Sequence, residues 1–241
     1  MSIEQKRRAL ITGASSGIGK ATALAFAKAG IDVALVSRSL DKLEAVATAA
    51  KQTGVEAKAY ALDLANLSQV EAKIQAIAQD FGNIDILVNN AGIGYTGTIS
   101  ETSLEDWQKV INLNLTSVFA CIKGILPGMR DRSTGTIINV ASIAAKQAFA
   151  GWGAYCVSKT GLLALSQTLA QEERPHGIRV SAICPGSVNT EIWDSETVNA
   201  DFDRSKMLTP EIVAQSILHT ALLPPQAVID ELILMPNAGT F

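Results

Sequence analysis

Tyr155 and Lys159 stand four residues apart in a stretch with helical apolar spacing, Ala154 to Glu173, and Ser142 precedes the tyrosine by thirteen residues. On a helix, residues four apart share one face, about 5–6 Å from each other. A free tyrosine has a pKa of about 10 and is a poor acid at neutral pH. A lysine cation within roughly 4–6 Å favours the phenolate and lowers that pKa, bringing the phenol towards the range in which general acid catalysis works best. A serine hydroxyl from a neighbouring strand end would then hold a substrate oxygen against the phenol. Spacing alone also fits a snorkelling surface pair, so the elements that position these groups carry the decision.

Around them, short β-branched runs alternate with helical patterns. Strands are expected at Ala9–Thr12, Val33–Val36, Ala57–Leu62, Ile84–Val88, Thr136–Val140, Arg179–Ile183 and Glu231–Met235. Helices are expected at Gly19–Ala29, Asp41–Thr53, Ser68–Phe81, Ser103–Met129, Ala154–Glu173 and Pro210–Leu222. Such alternation builds right-handed βαβ units on a parallel sheet covered on both faces. With no linker-like tract or repeat, the expectation is one α/β domain over residues 1–241, doubly wound on a parallel seven-stranded sheet. The pattern breaks at about 190–209, where Trp193, Phe202 and Met207 sit among charges. That segment reads equally as a flap over a pocket or as a loosely packed surface excursion.

Composition narrows the functional classes. Of 241 residues, 48% are hydrophobic and 18% charged, which supports a sizeable core. A net charge of −3 argues against a nucleic-acid partner. Cys121, Cys156 and Cys184 are odd in number and lack Cys-x-x-Cys spacing, so they read as buried thiols in a reducing compartment. Neither a signal-type stretch nor a run of about 18 apolar residues is evident, so a cytoplasmic protein with no membrane partner is expected. His176 and His219 read as surface residues, and no His/Cys/carboxylate cluster suggests a metal.

Thr12-Gly13-Ala14-Ser15-Ser16-Gly17-Ile18-Gly19 follows the first strand and opens the first helix. Glycines there permit a tight turn and let backbone N–H groups approach a pyrophosphate at the positive end of the helix. Together with Asp63-Leu64, Asn89-Asn90-Ala91-Gly92, Asn114, Ser142, Tyr155-x-x-x-Lys159 and Pro185-Gly186-x-x-x-Thr190, this loop resembles the short-chain dehydrogenase/reductase family. The resemblance runs from residue 9 to the C-terminus and implies a Rossmann-type fold and a nicotinamide cofactor. It implies that Gly13, Ser15, Ser16, Gly17, Ile18 and Gly19 hold the pyrophosphate, Asp63 and Leu64 the adenine, and Asn90, Ala91 and Gly92 a ribose. Pro185, Gly186, Val188 and Thr190 would hold the carboxamide. Tyr155 would be the proton donor, Ser142 the substrate-oxygen partner, and Lys159 both the activator of Tyr155 and a ribose ligand. Asn114, with Asn112 as its near rival, would organise a water for proton return.

At the end of the second strand, Ser37 and Arg38 stand where an NAD site offers a carboxylate. Arginine forks onto phosphate oxygens, so NADP(H) is the expected cofactor, although Ser16 replaces a basic residue common in NADP-type relatives. The expected activity is NADPH-dependent reduction of a carbonyl, with a ketone, an aldehyde or a 3-oxoacyl thioester as small-molecule substrate. Length and pattern are similar to the 3-oxoacyl-carrier-protein reductases, and Arg130, Arg132, Arg174 and Arg179 are candidates for a carrier-protein docking patch. The alternative is a catalytically silent NADP(H)-binding sensor or scaffold. The resemblance also implies a homotetramer or homodimer built from the helices at Ser103–Met129 and Ala154–Glu173, with residues such as Leu113, Phe119, Ile122 and Leu165 as candidate contacts.

Overall fold

The structure, a computed structural model, describes residues 6–239. The start of the chain at Met1 and its last two residues, Thr240 and Phe241, lie outside the described residues. In chain order the elements are β1 (Arg8–Thr12), α1 (Gly17–Lys28), β2 (Asp32–Ser37), α2 (Leu40–Lys51), β3 (Ala57–Ala61), α3 (Leu67–Phe81), β4 (Ile86–Asn89), α4 (Leu104–Ile111), α5 (Ser117–Asp131), β5 (Gly135–Val140), α6 (Gly153–Glu173), β6 (Ile178–Pro185), α7 (Pro210–Leu222) and β7 (Glu231–Leu234). The seven strands form one parallel sheet in the order β3-β2-β1-β4-β5-β6-β7. The order reverses between β1 and β4, and open α/β sheets bind ligands at that switch point, beyond the C-terminal strand ends.

Both faces of the sheet are covered, which explains the uninterrupted apolar strand runs. In β1, Leu10 packs into the layer formed with Ile74 of α3, Ile122 of α5 and Leu162 of α6. Its neighbours Ala9 and Ile11 point the other way, into the layer with Phe26 of α1, Leu43 of α2 and Ile217 of α7. The strand period of two thus feeds two cores from one segment.

The single helix expected over Ser103–Met129 is broken. Ser103 caps α4 by accepting from the Asp106 N–H at 3.0 Å, and a π-helical turn, Asn112–Thr116, separates α4 from α5. Such turns insert one extra residue and redirect the side chains around them. Within the joined run Leu104–Asp131 one 18-residue stretch has the mean hydropathy, 1.4, of a membrane span, but polar residues including Asn114 fall inside it, so it is not an uninterrupted run of about 18 apolar residues. Much of its apolar side, including Val118, Ile122, Ile125 and Met129, is buried in the core beneath the sheet.

Candidate active site

A cavity of about 540 Å³ lies along the C-terminal strand ends, reaching from Arg38 and Lys42 at β2 and α2 to Trp152 and Phe202. At its centre, the Thr12 hydroxyl accepts from the N–H groups of Asn90 and Ala91 at 3.0 and 3.1 Å. The Asn90 amide donates to the Thr12 and Gly13 carbonyls. This lacing joins the end of β1 to the end of β4 across the switch point. Gly13 and Gly17 adopt φ of +65° and +51°, and a Cβ on Gly19 would stand 2.2 Å from the Gly13 carbonyl oxygen. Only glycine fits such a close approach. The residue before α1, Ser16, is extended and makes no side-chain cap, so the first N–H groups of α1 face the cavity free to meet an anion. Ser15, Ser16, Gly17 and Ile18 all line it.

The expected flanking residues fall on the same cavity: Ser37, Arg38, Asp63, Leu64, Asn90, Ala91, Gly92, Pro185, Gly186, Val188 and Thr190. Asp63 accepts from the Ala65 N–H at 3.0 Å in a local turn, while Asn66, not Asp63, precedes α3. Lys42 and Ser187 are among the lining residues not singled out in the sequence. Lys42 lies four residues beyond Arg38 in the first turn of α2, a spacing that could have flagged a second cation. Ser187, after β6, has a buried hydroxyl without a hydrogen-bond partner. An unpaired buried polar atom is costly, and this one suits a ligand amide. Glycine cradle, open helix end and unsatisfied hydroxyl together fit a dinucleotide.

Ser142, Tyr155 and Lys159 converge on this cavity. Ser142 lies two residues beyond the end of β5 and caps a short 3₁₀ turn, its hydroxyl accepting from the Ala144 N–H at 3.1 Å. Tyr155 and Lys159 lie on consecutive turns of α6, and the Lys159 Nζ is 5.7 Å from the Tyr155 ring centroid. That ammonium donates to the Val140 carbonyl at 3.0 Å. The expectation that Lys159 lowers the Tyr155 pKa is not met in this state. Burial pushes the Tyr155 phenol above its ordinary value, opposed by hydrogen bonding with Ser142. Burial likewise lowers Lys159 to about 8. The lysine is itself desolvated and bonded to the Val140 carbonyl, and burial of the phenol is the dominant effect on Tyr155.

Asn114 sits in the π turn, fully buried, but its side chain does not line the cavity. Its Oδ1 accepts from the Ile93 N–H at 2.8 Å, and its Nδ2 donates to the Ile93 carbonyl and the Ser158 hydroxyl at 2.9 and 3.1 Å. Both Nδ2 hydrogens are spent on fixing the strand exit beside Lys159, and the second lone pair of Oδ1 is left to accept from a water. Asn112, its rival, accepts from the Gln108 amide near the surface.

The segment after Thr190 covers the cavity mouth. It leaves and returns through a bridge between Val188 and Leu208, and Arg204 clasps its neck by donating to Asn189, Asp194 and the Thr190 carbonyl. The candidate docking arginines are engaged within the chain. Arg130 pairs with the buried Glu173, Arg132 donates to the Ile84 carbonyl, and Arg179 donates to the carbonyls of Leu223, Pro224 and Ala227. Arg174 lies 3.7 Å from Asp230. The three cysteines are buried and unpaired, and His176 and His219 are exposed. Among the described residues no group of three His, Cys, Asp or Glu side chains converges.

A parallel sheet with a glycine cradle at its switch point and a Ser-Tyr-Lys group beside it defines a Rossmann-type oxidoreductase. A family profile described as short chain dehydrogenase matches residues 7–201. The chain belongs to that family. It is 38% identical to the 3-oxoacyl-[acyl-carrier-protein] reductase of Synechocystis sp., covering 92% of this chain and 91% of that protein. It is 33% identical to the glycine betaine reductase ATRR of Emericella nidulans over 95% of this chain, and spans only 18% of that longer protein. An alcohol dehydrogenase from the archaeon Thermococcus sibiricus, solved with 5-hydroxy-NADP, superposes with a TM-score of 0.88 at 30% identity, over 97% of both chains.

Proposed function

We propose that this protein is an NADPH-dependent reductase of a ketone, an aldehyde or a 3-oxoacyl thioester. The observation that carries this reading is one continuous cavity, with two cations at one end and the Ser142, Tyr155 and Lys159 group further along. Arg38 and Lys42 flank the C-terminal end of β2, where a 2′-phosphate would lie, and no carboxylate stands between Val33 and Leu40 to compete with it. The relative solved with an NADP derivative agrees.

When bound, the nicotinamide supplies hydride to the carbonyl carbon. Ser142 and Tyr155 hold the carbonyl oxygen, and the Tyr155 phenol passes its proton to that oxygen as negative charge develops. Its raised pKa keeps the phenol protonated at neutral pH, and an alkoxide is a stronger base than a phenolate, so the transfer runs downhill. Lys159, held by Val140, presents its remaining ammonium donors to the ribose side. Asn114 is a positioning residue that fixes Ile93. Three buried free cysteines support a cytoplasmic site. Exposed Leu104, Phe119 and Val157 support assembly into a homodimer or homotetramer.

Titration with both reduced cofactors tests the reading. NADPH should bind at least about tenfold tighter than NADH, and Arg38→Asp should reverse the order by removing a charge-assisted phosphate contact. Tighter NADH binding by the wild type would refute it.

A further inference from the structure

Beyond Tyr155 the cavity is walled by rings. Trp152 meets Tyr155 edge to face, centroids 5.6 Å apart at 68°. Trp193 meets Trp152 at 5.9 Å and 70°, and Phe202 meets Trp193 at 5.3 Å and 86°. These T-shaped contacts are the geometry that ring quadrupoles favour. Trp152, Trp193 and Phe202 all line the cavity, and each is only half-buried.

This wall is held in place. The Trp193 Nε1–H donates to the Val188 carbonyl at 2.7 Å, fixing the indole over the turn that follows β6. The segment between Trp193 and Phe202 is tied to the loop after β4. There the Thr96 N–H donates to the Thr197 carbonyl at 2.9 Å, the Thr197 hydroxyl to the Gly94 carbonyl at 2.7 Å, and the Asn199 N–H to the Thr96 hydroxyl at 2.7 Å. Gly97 bridges to Trp152 on the other side. The rings are therefore a preorganised surface.

Charge is confined elsewhere in the cavity. Arg38, Lys42 and Asp63 stand at the ribose end, Glu191 lies beside Gly17 of the phosphate loop, and Lys159 is committed to Val140. Among the described residues no other charged side chain lines it. An anionic substituent placed beyond Tyr155 would lose its hydration and meet no cation. A flat ring would meet ring edges and faces at the spacing aromatic pairs adopt.

We infer that the substrate is an uncharged ketone bearing an aromatic ring beside the carbonyl, the ring packed on Trp152 and Trp193 and the oxygen at Ser142 and Tyr155. This rests on the carbonyl-reductase reading above. NADPH oxidation is to be measured with acetophenone, with 2-octanone of equal carbon count, with 4-acetylbenzoate and with an acetoacetyl thioester. Acetophenone should exceed each of the others in kcat/KM by about tenfold or more, the scale of one or two aromatic contacts. Trp193→Leu should bring the acetophenone to 2-octanone ratio close to one, and Trp193→Phe should restore it. A ratio near one in the wild type, a preference for the thioester or the benzoate, or a ratio insensitive to Trp193→Leu overturns the inference and leaves the reductase standing. If no carbonyl is turned over, the reductase reading fails. Calorimetric titration of the NADP⁺-loaded protein then decides the ring wall alone, with tighter binding of acetophenone than of 2-octanone expected and equal binding overturning it.

Discussion

At the scale of single residues, burial drives Tyr155 and Lys159 in opposite directions, the phenol up and the ammonium down to about 8. An unfolded lysine titrates at about 10.4, so between about pH 8 and 10.4 the unfolded chain binds the extra proton and folding is favoured by raising the pH. Below about pH 8 the ammonium is charged in both states, and the cost of burying it is fully present. Relative to Lys159→Met, the wild type should gain stability in urea from about pH 8 to about pH 10 and show no change of difference below about pH 7. Parallel curves over the whole range would show that Lys159 titrates normally. The free-enzyme kcat/KM should also fall above about pH 8, as the ammonium that faces the ribose is lost. Residue types and their spacing were legible in the sequence. The sign of the Tyr155 shift was not, because it depends on depth of burial and on where the lysine points, and neither is written in a four-residue interval.

Elements carry the site through buried polar contacts that binary patterning does not reveal. Asn89 of β4 donates to Asn139 of β5 at 2.8 Å, Asn139 donates to Ser166 of α6 at 2.8 Å, and the Ser166 hydroxyl donates to the Leu162 carbonyl at 2.7 Å. This ladder runs from the sheet to the helix bearing Tyr155. Asn139→Ala would strand the Asn89 amide N–H in the interior, while the Ser166 hydroxyl would lose an incoming donor but keep the Leu162 carbonyl. A loss of about 1–3 kcal/mol of stability is expected, read as a lower urea midpoint at unchanged slope. A shift indistinguishable from zero would mean that water satisfies the Asn89 amide. The alternation of strands and helices was legible because parallel strands buried on both faces are apolar throughout. The π turn at Asn112–Thr116 was not. Asn-Leu-Asn-Leu-Thr continues a helical pattern, and the extra residue is stabilised by contacts with Ile93 and Ser158, which lie far away in sequence.

Across the whole molecule, the sheet places in one cavity groups that are separated by more than a hundred residues, from Arg38 to Trp193. Their convergence was legible through the family motifs; the ring wall was not, because its geometry arises from the fold of the segment after Thr190. Five of the apolar residues on the helices expected to form an interface, Val118, Ile122, Leu162, Leu163 and Leu169, are buried within the chain's own core. Leu104, Phe119 and Val157 are left facing solvent at 79%, 49% and 48% exposure. Large apolar side chains left in solvent on these helices are what an interface between copies would cover, so light scattering should return a mass of two or four chains, and Phe119→Lys should lower it. A monomer at micromolar concentration would exclude these helices as the interface. The central claim concerns the proton, and NADPH oxidation by Tyr155→Phe in the presence of a reducible ketone tests it most directly. Turnover should fall by about 10²–10⁴-fold, the usual weight of a general acid, while NADPH binding measured on the same protein stays at the wild-type value. A variant that binds NADPH and still turns over within a few-fold of the wild type would contradict Tyr155 as the proton donor.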